Sequence, residues 1–146
     1  MSREKISEAQ AEDFALAVSS ILRRIRATVP TELRDFSWTQ KSVLSRLDRD
    51  GPATSAELAR AEGVTPQSMS TAVAALEQMG LVQRHADPSD GRQLVTKLTV
   101  QGKALRERTR AAKESWLTHA FGQLERRELA VLFEASDIMR RMAEMP

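Results

Sequence analysis

Between Thr54 and Gly80 the chain carries a helix start, a left-handed stop, a second helix start and a second stop in quick succession. Thr54-Ser55-Ala56-Glu57 places a hydroxyl three residues ahead of a glutamate, the arrangement in which each side chain answers the other's free backbone N–H. Gly63 sits where the chain must turn with positive φ, and Thr65-Pro66 supplies an N-cap followed by proline at the first helical position. The spacing predicts a short helix from about Ser55 to Glu62 and a second from about Pro66 to Met79, ended by Gly80. Two helices so short, joined by so tight a turn, form a helix-turn-helix.

The flanking segments extend this unit. From Glu8 to Thr28, Phe14, Val18, Ile21, Leu22 and Ile25 recur at steps of three and four, one stripe on a long helix, with Arg23, Arg24 and Arg26 off it. Pro30 ends that helix. Ser37-Trp38-Thr39-Gln40 opens another with Val43, Leu44 and Leu47 inside, and Gly51-Pro52 stops it. Beyond Gly80, Leu81 to Ala86 reads as a strand and Asp87-Pro88-Ser89-Asp90-Gly91 as a turn cluster. Gln93 to Leu98 alternates Leu94, Thr96 and Leu98 against Val95 and Lys97, so a β-hairpin with a polar tip is expected. Thr99 caps a long helix to about Phe121, and a last helix from Glu125 places Leu129, Leu132, Phe133, Met139 and Met142 on one side. The fold class is mainly α with a small β-hairpin wing (α+β).

A chain of 146 residues is the size of one domain, so 1–146 is read as a single unit, with 8–29 and 99–146 as its terminal helical segments and 37–98 as the lobe that carries the helix-turn-helix and its hairpin wing at 81–98. With 41% apolar and 29% charged residues a compact core is expected. The net charge of +2 says little about partners, so the placement of charge decides. The absence of cysteine excludes disulfides, thiolate metal sites and peroxide sensing through a thiol. Met1 to Gln10 has no apolar h-region, and no run approaches the ~18 apolar residues of a spanning helix, so a cytoplasmic protein without a membrane partner is expected.

On the helix Pro66 to Met79, turning ~100° per residue puts Met69, Ala72, Val73, Leu76 and Met79 on one face and Gln67, Thr71, Ala74 and Gln78 on the other, flanked by Ser68 and Ser70. The outward face is amide, hydroxyl and methyl, with Glu77 at its edge. Such a face fits a DNA major groove ~12 Å wide, where amides bridge adenine edges and hydroxyls serve as donor or acceptor. The same residues also suit an ordinary solvated surface. What favours DNA is the hairpin that follows directly, with Arg92 beside its tip, because narrow minor grooves attract inserted arginine. Asp90 either orients the Arg92 guanidinium or simply forms the turn. Phosphate contacts are expected from the helix starts at Thr54 and Thr65 and from Arg60 and Arg84. The candidate DNA-binding set is therefore Thr54, Thr65, Gln67, Ser68, Ser70, Thr71, Arg84, Asp90 and Arg92.

The stretch Leu81-Val82-Gln83-Arg84, through Asp87-Pro88-Ser89-Asp90-Gly91-Arg92, to Leu98-Thr99-Val100-Gln101-Gly102 resembles the wing and following helix start of the MarR family, the multiple-antibiotic-resistance-type regulators. Asp90-x-Arg92 matches that family's wing hallmark, and Glu57-Leu58-Ala59 with Thr65 to Ser70 is similar to its helix-turn-helix. The resemblance implies a winged helix-turn-helix homodimer, interlocked through the first helix and the last two, on a pseudo-palindromic operator of double-stranded DNA. It also implies a repressor released by a small aromatic or phenolic compound bound between the dimerisation helices and the DNA-binding lobe. Arg34, Phe36 and Trp38 lie near that junction by chain order, although Trp38 and Trp116 equally suit the core or the dimer seam. The effector-binding residues stay unknown at this point. With no thiol and only His85 and His119, cysteine and zinc sensing are not expected, nor is any other metal or cofactor.

Catalysis is not expected. No nucleophile and base, carboxylate pair or phosphate loop is spaced for it, and His85, Asp87 and Ser89 would sit on an exposed hairpin tip with no oxyanion pocket. The remaining alternative is a winged-helix module for protein contacts, or an architectural DNA binder without an effector. A protein-binding helix would expose apolar anchors where this one exposes amides and hydroxyls.

Overall fold

The computed structural model describes residues 6–146. Helices α1 (Glu8–Ala27), α2 (Trp38–Asp50), α3 (Ser55–Glu62), α4 (Pro66–Gln78), α5 (Val100–Phe121) and α6 (Arg126–Ala143) accompany strands β1 (Ala53–Thr54), β2 (Val82–Ala86) and β3 (Leu94–Leu98), with a 3-10 turn at Thr31–Leu33. Each helix start has a chemical reason. Ser7 with Gln10, Ser37 with Gln40 and Thr54 with Glu57 form reciprocal caps, whereas Thr65 and Thr99 accept from Ser68 and Gly102. At Glu125 the Glu128 carboxylate takes the backbone N–H at 2.8 Å, a start that the sequence pattern located only by its apolar stripe.

The hairpin expected from sequence is the β2–β3 pair, antiparallel with Arg84 opposite Thr96 and Ala86 opposite Leu94. A third strand joins it: β1 pairs with β3 through Ala53–Thr96 and Thr54–Val95, giving the order β1-β3-β2. Two residues are too few to show a period of two, so this strand is invisible to pattern reading.

The core lies in the lobe. Val43, Leu44 and Leu47 of α2, Leu58 of α3, Met69, Val73 and Leu76 of α4, and Val82, Leu98 and Leu105 close on one another. Met79 departs from the expected inward face: it is 45% exposed because the helix has ended at Gln78 and its side chain falls beyond the packed turn. Neither α1 nor α6 contributes a buried residue, so their apolar stripes stay open in the single chain. Among the described residues no helix is long and apolar enough to cross a membrane.

Candidate nucleic-acid interface

The turn between α3 and α4 is set by Gly63 at φ 63°, and the Val64 N–H returns to the Ala59 carbonyl at 3.1 Å. That geometry buries Leu58 and Met69 against the core and directs the start of α4 outward. Thr65 Oγ1 accepts the Ser68 N–H at 3.1 Å and donates to Ser68 Oγ at 3.0 Å. The Thr71 hydroxyl donates back to the Gln67 carbonyl at 3.0 Å, which turns its acceptor lone pairs and methyl to solvent. Thr65, Gln67, Ser68, Ser70 and Thr71 are all exposed, while Ala74, expected on the same outward face, is half-buried.

Beside this face a groove of about 570 Å³ runs between the start of α3 and the wing. It gathers Thr54, Ser70, Arg84 and Arg92 of the expected set, together with Arg60 and Leu94. Three guanidinium groups therefore share one concavity with a helix N-terminus, an arrangement suited to a polyanion. The Glu57 carboxylate within it is occupied as an acceptor of the Thr54 N–H at 2.8 Å. Thr65, Gln67, Ser68, Thr71 and Asp90 do not line the groove; the first four border it along α4 through Ser70.

Leu94 differs from the two residues it alternates with: Thr96 and Leu98 are buried, whereas Leu94 is 53% exposed because the wing extends past the core that covers the other two. The exposed position of an apolar residue on the groove is not visible in a period of two.

The wing's local chemistry decides the role of Asp90 and fixes the surroundings of His85, Asp87 and Ser89. Asp90 accepts the Arg92 backbone N–H at 3.1 Å, and its carbonyl accepts from Gln93 at 3.0 Å, so it builds the turn and does not hold the guanidinium. Asp87 accepts the backbone N–H and the hydroxyl of Ser89 at 2.9 and 2.8 Å, and these bonds hold its carboxyl below the usual carboxylate range. Both Ser89 and Asp87 are thus committed to the turn, and His85 Nδ1 has no partner among the described residues. No relay runs from carboxylate through imidazole to hydroxyl.

Arg84 is held by Glu77. Its Nη2 and Nε donate to the two carboxylate oxygens at 2.9 and 3.3 Å, and its backbone N–H adds a third bond at 3.1 Å. The guanidinium holds the Glu77 carboxyl below its ordinary range, against the opposing effect of partial burial.

Trp38 fills neither core nor buried seam in the single chain: it is 70% exposed, with the Arg26 guanidinium 5.6 Å from its ring centroid. It walls a cavity of about 280 Å³ with Arg26, Leu33, Ser45, Arg106 and Thr109, between α1, α2 and α5. Arg34 is not among its lining residues, and Phe36 lines a separate hollow beside Met79 and Leu105.

Comparison with known proteins agrees with this geometry. Residues 36–94 match the model of the MarR family. An HTH-type transcriptional regulator of Mycobacterium bovis is 34% identical over 134 residues, 92% of each chain. An HTH-type transcriptional repressor of Mycobacterium tuberculosis is 46% identical over 68 residues, 47% of this chain and 49% of that one. The fold is shared with FabT of Streptococcus pneumoniae, solved in complex with DNA, at a TM-score of 0.77 and 16% identity over 92% of this chain and 97% of that one. With helix-turn-helix, wing and near full-length similarity in agreement, the chain belongs to the MarR family: it is a DNA-binding transcriptional regulator and not an enzyme.

Proposed function

We propose that the protein is a cytoplasmic homodimeric repressor that reads a pseudo-palindromic operator and leaves it when a small aromatic or phenolic compound binds. The observation that carries the DNA reading is the continuity of the amide and hydroxyl face of α4 with the groove holding Arg60, Arg84 and Arg92. In this reading Gln67, Ser68, Ser70 and Thr71 face base edges, Thr54, Thr65 and Arg84 meet phosphates, and Arg92, on a turn built by Asp90, enters the neighbouring minor groove. The DNA-binding lobe is 37–98, and 8–29 with 99–146 pair with a second copy.

Support for pairing comes from the open stripes of the terminal helices. Phe14, Ile21 and Leu22 of α1 and Val131, Phe133 and Met142 of α6 are each more than two-fifths exposed, and a second copy is the economical cover for both. Support for an effector comes from the cavity at Trp38, where an aromatic wall and the cations Arg26, Lys41 and Arg106 suit an aromatic carboxylate at the junction of α1, α2 and α5.

The test uses the full chain, a labelled duplex from the region upstream of its own gene, and benzoate as the probe. Benzoate is expected to raise the melting temperature, to quench tryptophan fluorescence in wild type but not in Trp38→Ala, and to lower anisotropy by releasing DNA. Stabilisation without release refutes effector control.

A further inference from the structure

We propose that Glu77 is a positioning residue for DNA binding, which acts through Arg84 to fix the angle between the reading helix α4 and the wing. The inference rests on the DNA-binding reading above. Among the described residues the three bonds from Arg84 to Glu77 are the only side-chain hydrogen bonds that join α4 to the sheet.

The turn between the two elements is already pinned at one point. Gly80 at φ 74° sends its N–H to the Glu77 carbonyl at 3.0 Å, Leu81 returns to Leu76 at 3.0 Å, and the Thr99 hydroxyl donates to the Gly80 carbonyl at 2.5 Å. Val73 and Leu76 of α4 also share the core with Val82 and Leu98 of the sheet, but apolar packing is non-directional, so a second hydrogen-bonded point is what fixes the angle. Glu77 and Arg84 supply it, three residues before Gly80 and four after, and the backbone N–H of Arg84 ties the strand itself as well as the side chain.

The lever is long enough to matter. Arg84 pairs with Thr96, and Arg92 lies four residues before Thr96, so the tip is about 13 Å beyond the clamp at ~3.3 Å per strand residue. A rotation of about 5° there moves Arg92 by about 1 Å, twice the ~0.5 Å within which a binding constellation has to be held. The clamp also uses only the Nε and one Nη2 donor of Arg84, which leaves the other guanidinium N–H groups for the groove it lines.

The charge of Glu77 gives the test its sign. Removing a carboxylate near a polyanion strengthens binding by electrostatics alone, so a loss of affinity has to come from position. A duplex is first selected from a random library by the full-length wild-type protein, and titrations then compare it with unselected duplex across a range of salt. Glu77→Ala is expected to bind the selected duplex about tenfold more weakly, with unselected binding unchanged or tighter and the salt slope unaltered. A folding defect would lower both. Arg84→Ala combined with Glu77→Ala is expected to lose no more than Arg84→Ala alone. If Glu77→Ala binds the selected duplex as tightly as wild type or more so, or if the two losses add, the positioning role is wrong. If wild type selects no duplex at all, the DNA reading fails first, in the protein that still has its clamp.

Discussion

Gly102→Ala is expected to destabilise the protein, although the same change in an ordinary helix would stabilise it. Within a helix, alanine is favoured over glycine by about 1 kcal/mol. Gly102 lies in the first turn of α5, and a Cβ added there would stand 2.0 Å from the Leu81 carbonyl oxygen, 3.0 Å from its carbon and 3.2 Å from Leu98 Cδ2. The obstacle is backbone, and about 1 Å of movement is needed to reach even the tightest real contact of 3.0 Å. That carbonyl also accepts the Thr99 N–H at 3.0 Å, and Thr99 Oγ1 caps Gly102 at 3.0 Å, so the movement strains the cap and the tie to β2 together. Overpacking costs about 1–3 kcal/mol and a strained cap about 1 more; set against the helical gain, a net loss of about 1–3 kcal/mol remains. For a chain of this length that is a fall of about 3–10 °C in Tm. Thermal melts followed by circular dichroism measure the shift, at one fixed protein concentration because pairing with a second copy would make Tm depend on it. A Tm raised by several degrees would show that α5 is not seated on the Leu81 carbonyl.

Arg92→Ala is expected to weaken binding to a selected duplex and to lower the slope of log affinity against log salt by about one, read by anisotropy; unchanged affinity at every salt removes the wing tip from the interface. Gln67→Ala is expected to cost about 1–3 kcal/mol at particular base pairs, which a panel of single-base operator variants resolves, whereas an equal loss on every duplex assigns the effect to folding. Glu62 accepts from the Ser42 hydroxyl and from Arg46 at 2.5 and 2.9 Å, and these bonds, the hydroxyl first, hold its carboxyl below the ordinary range. Its folded-state pKa being the lower one, its contribution is complete above the unfolded value of about 4.3 and disappears as pH falls through the folded value. Glu62→Gln is therefore expected to cost about 1–2 kcal/mol in urea melts at pH 7 and progressively less below about pH 4; a difference that does not shrink with acid refutes the pairing.

Much of this fold is written in short-range chemistry. Thr54, Thr65 and Thr99 act as caps, and Gly63 and Gly80 take the positive φ that their positions predict, because caps and turns depend on a few adjacent residues. The same locality explains why the outward set Gln67, Ser68, Ser70 and Thr71 was legible: α4 has a clean apolar face, so its opposite follows. What was not legible depends on distance along the chain. The β1 strand exists only because β3 lies beside it, and Leu94 leaves the core only because nothing reaches the wing to cover it. The commitment of Arg84 to Glu77, across the turn between α4 and β2, is decided by which acceptor lies nearest in three dimensions. Trp38 illustrates the limit from the other side: its size argues for burial, and its exposure follows from its position at the first residue of α2, ahead of the packed turns that hold Val43 and Leu44.

A DNase I footprint of the full-length protein on the DNA flanking its gene tests whether two copies of the α4 face and the wing engage one duplex together. The expected result is a protected stretch with two related half-sites whose centres lie about 10–10.5 base pairs apart, or a multiple of that. Protection of a single half-site, or none at concentrations that saturate random duplex, would contradict it.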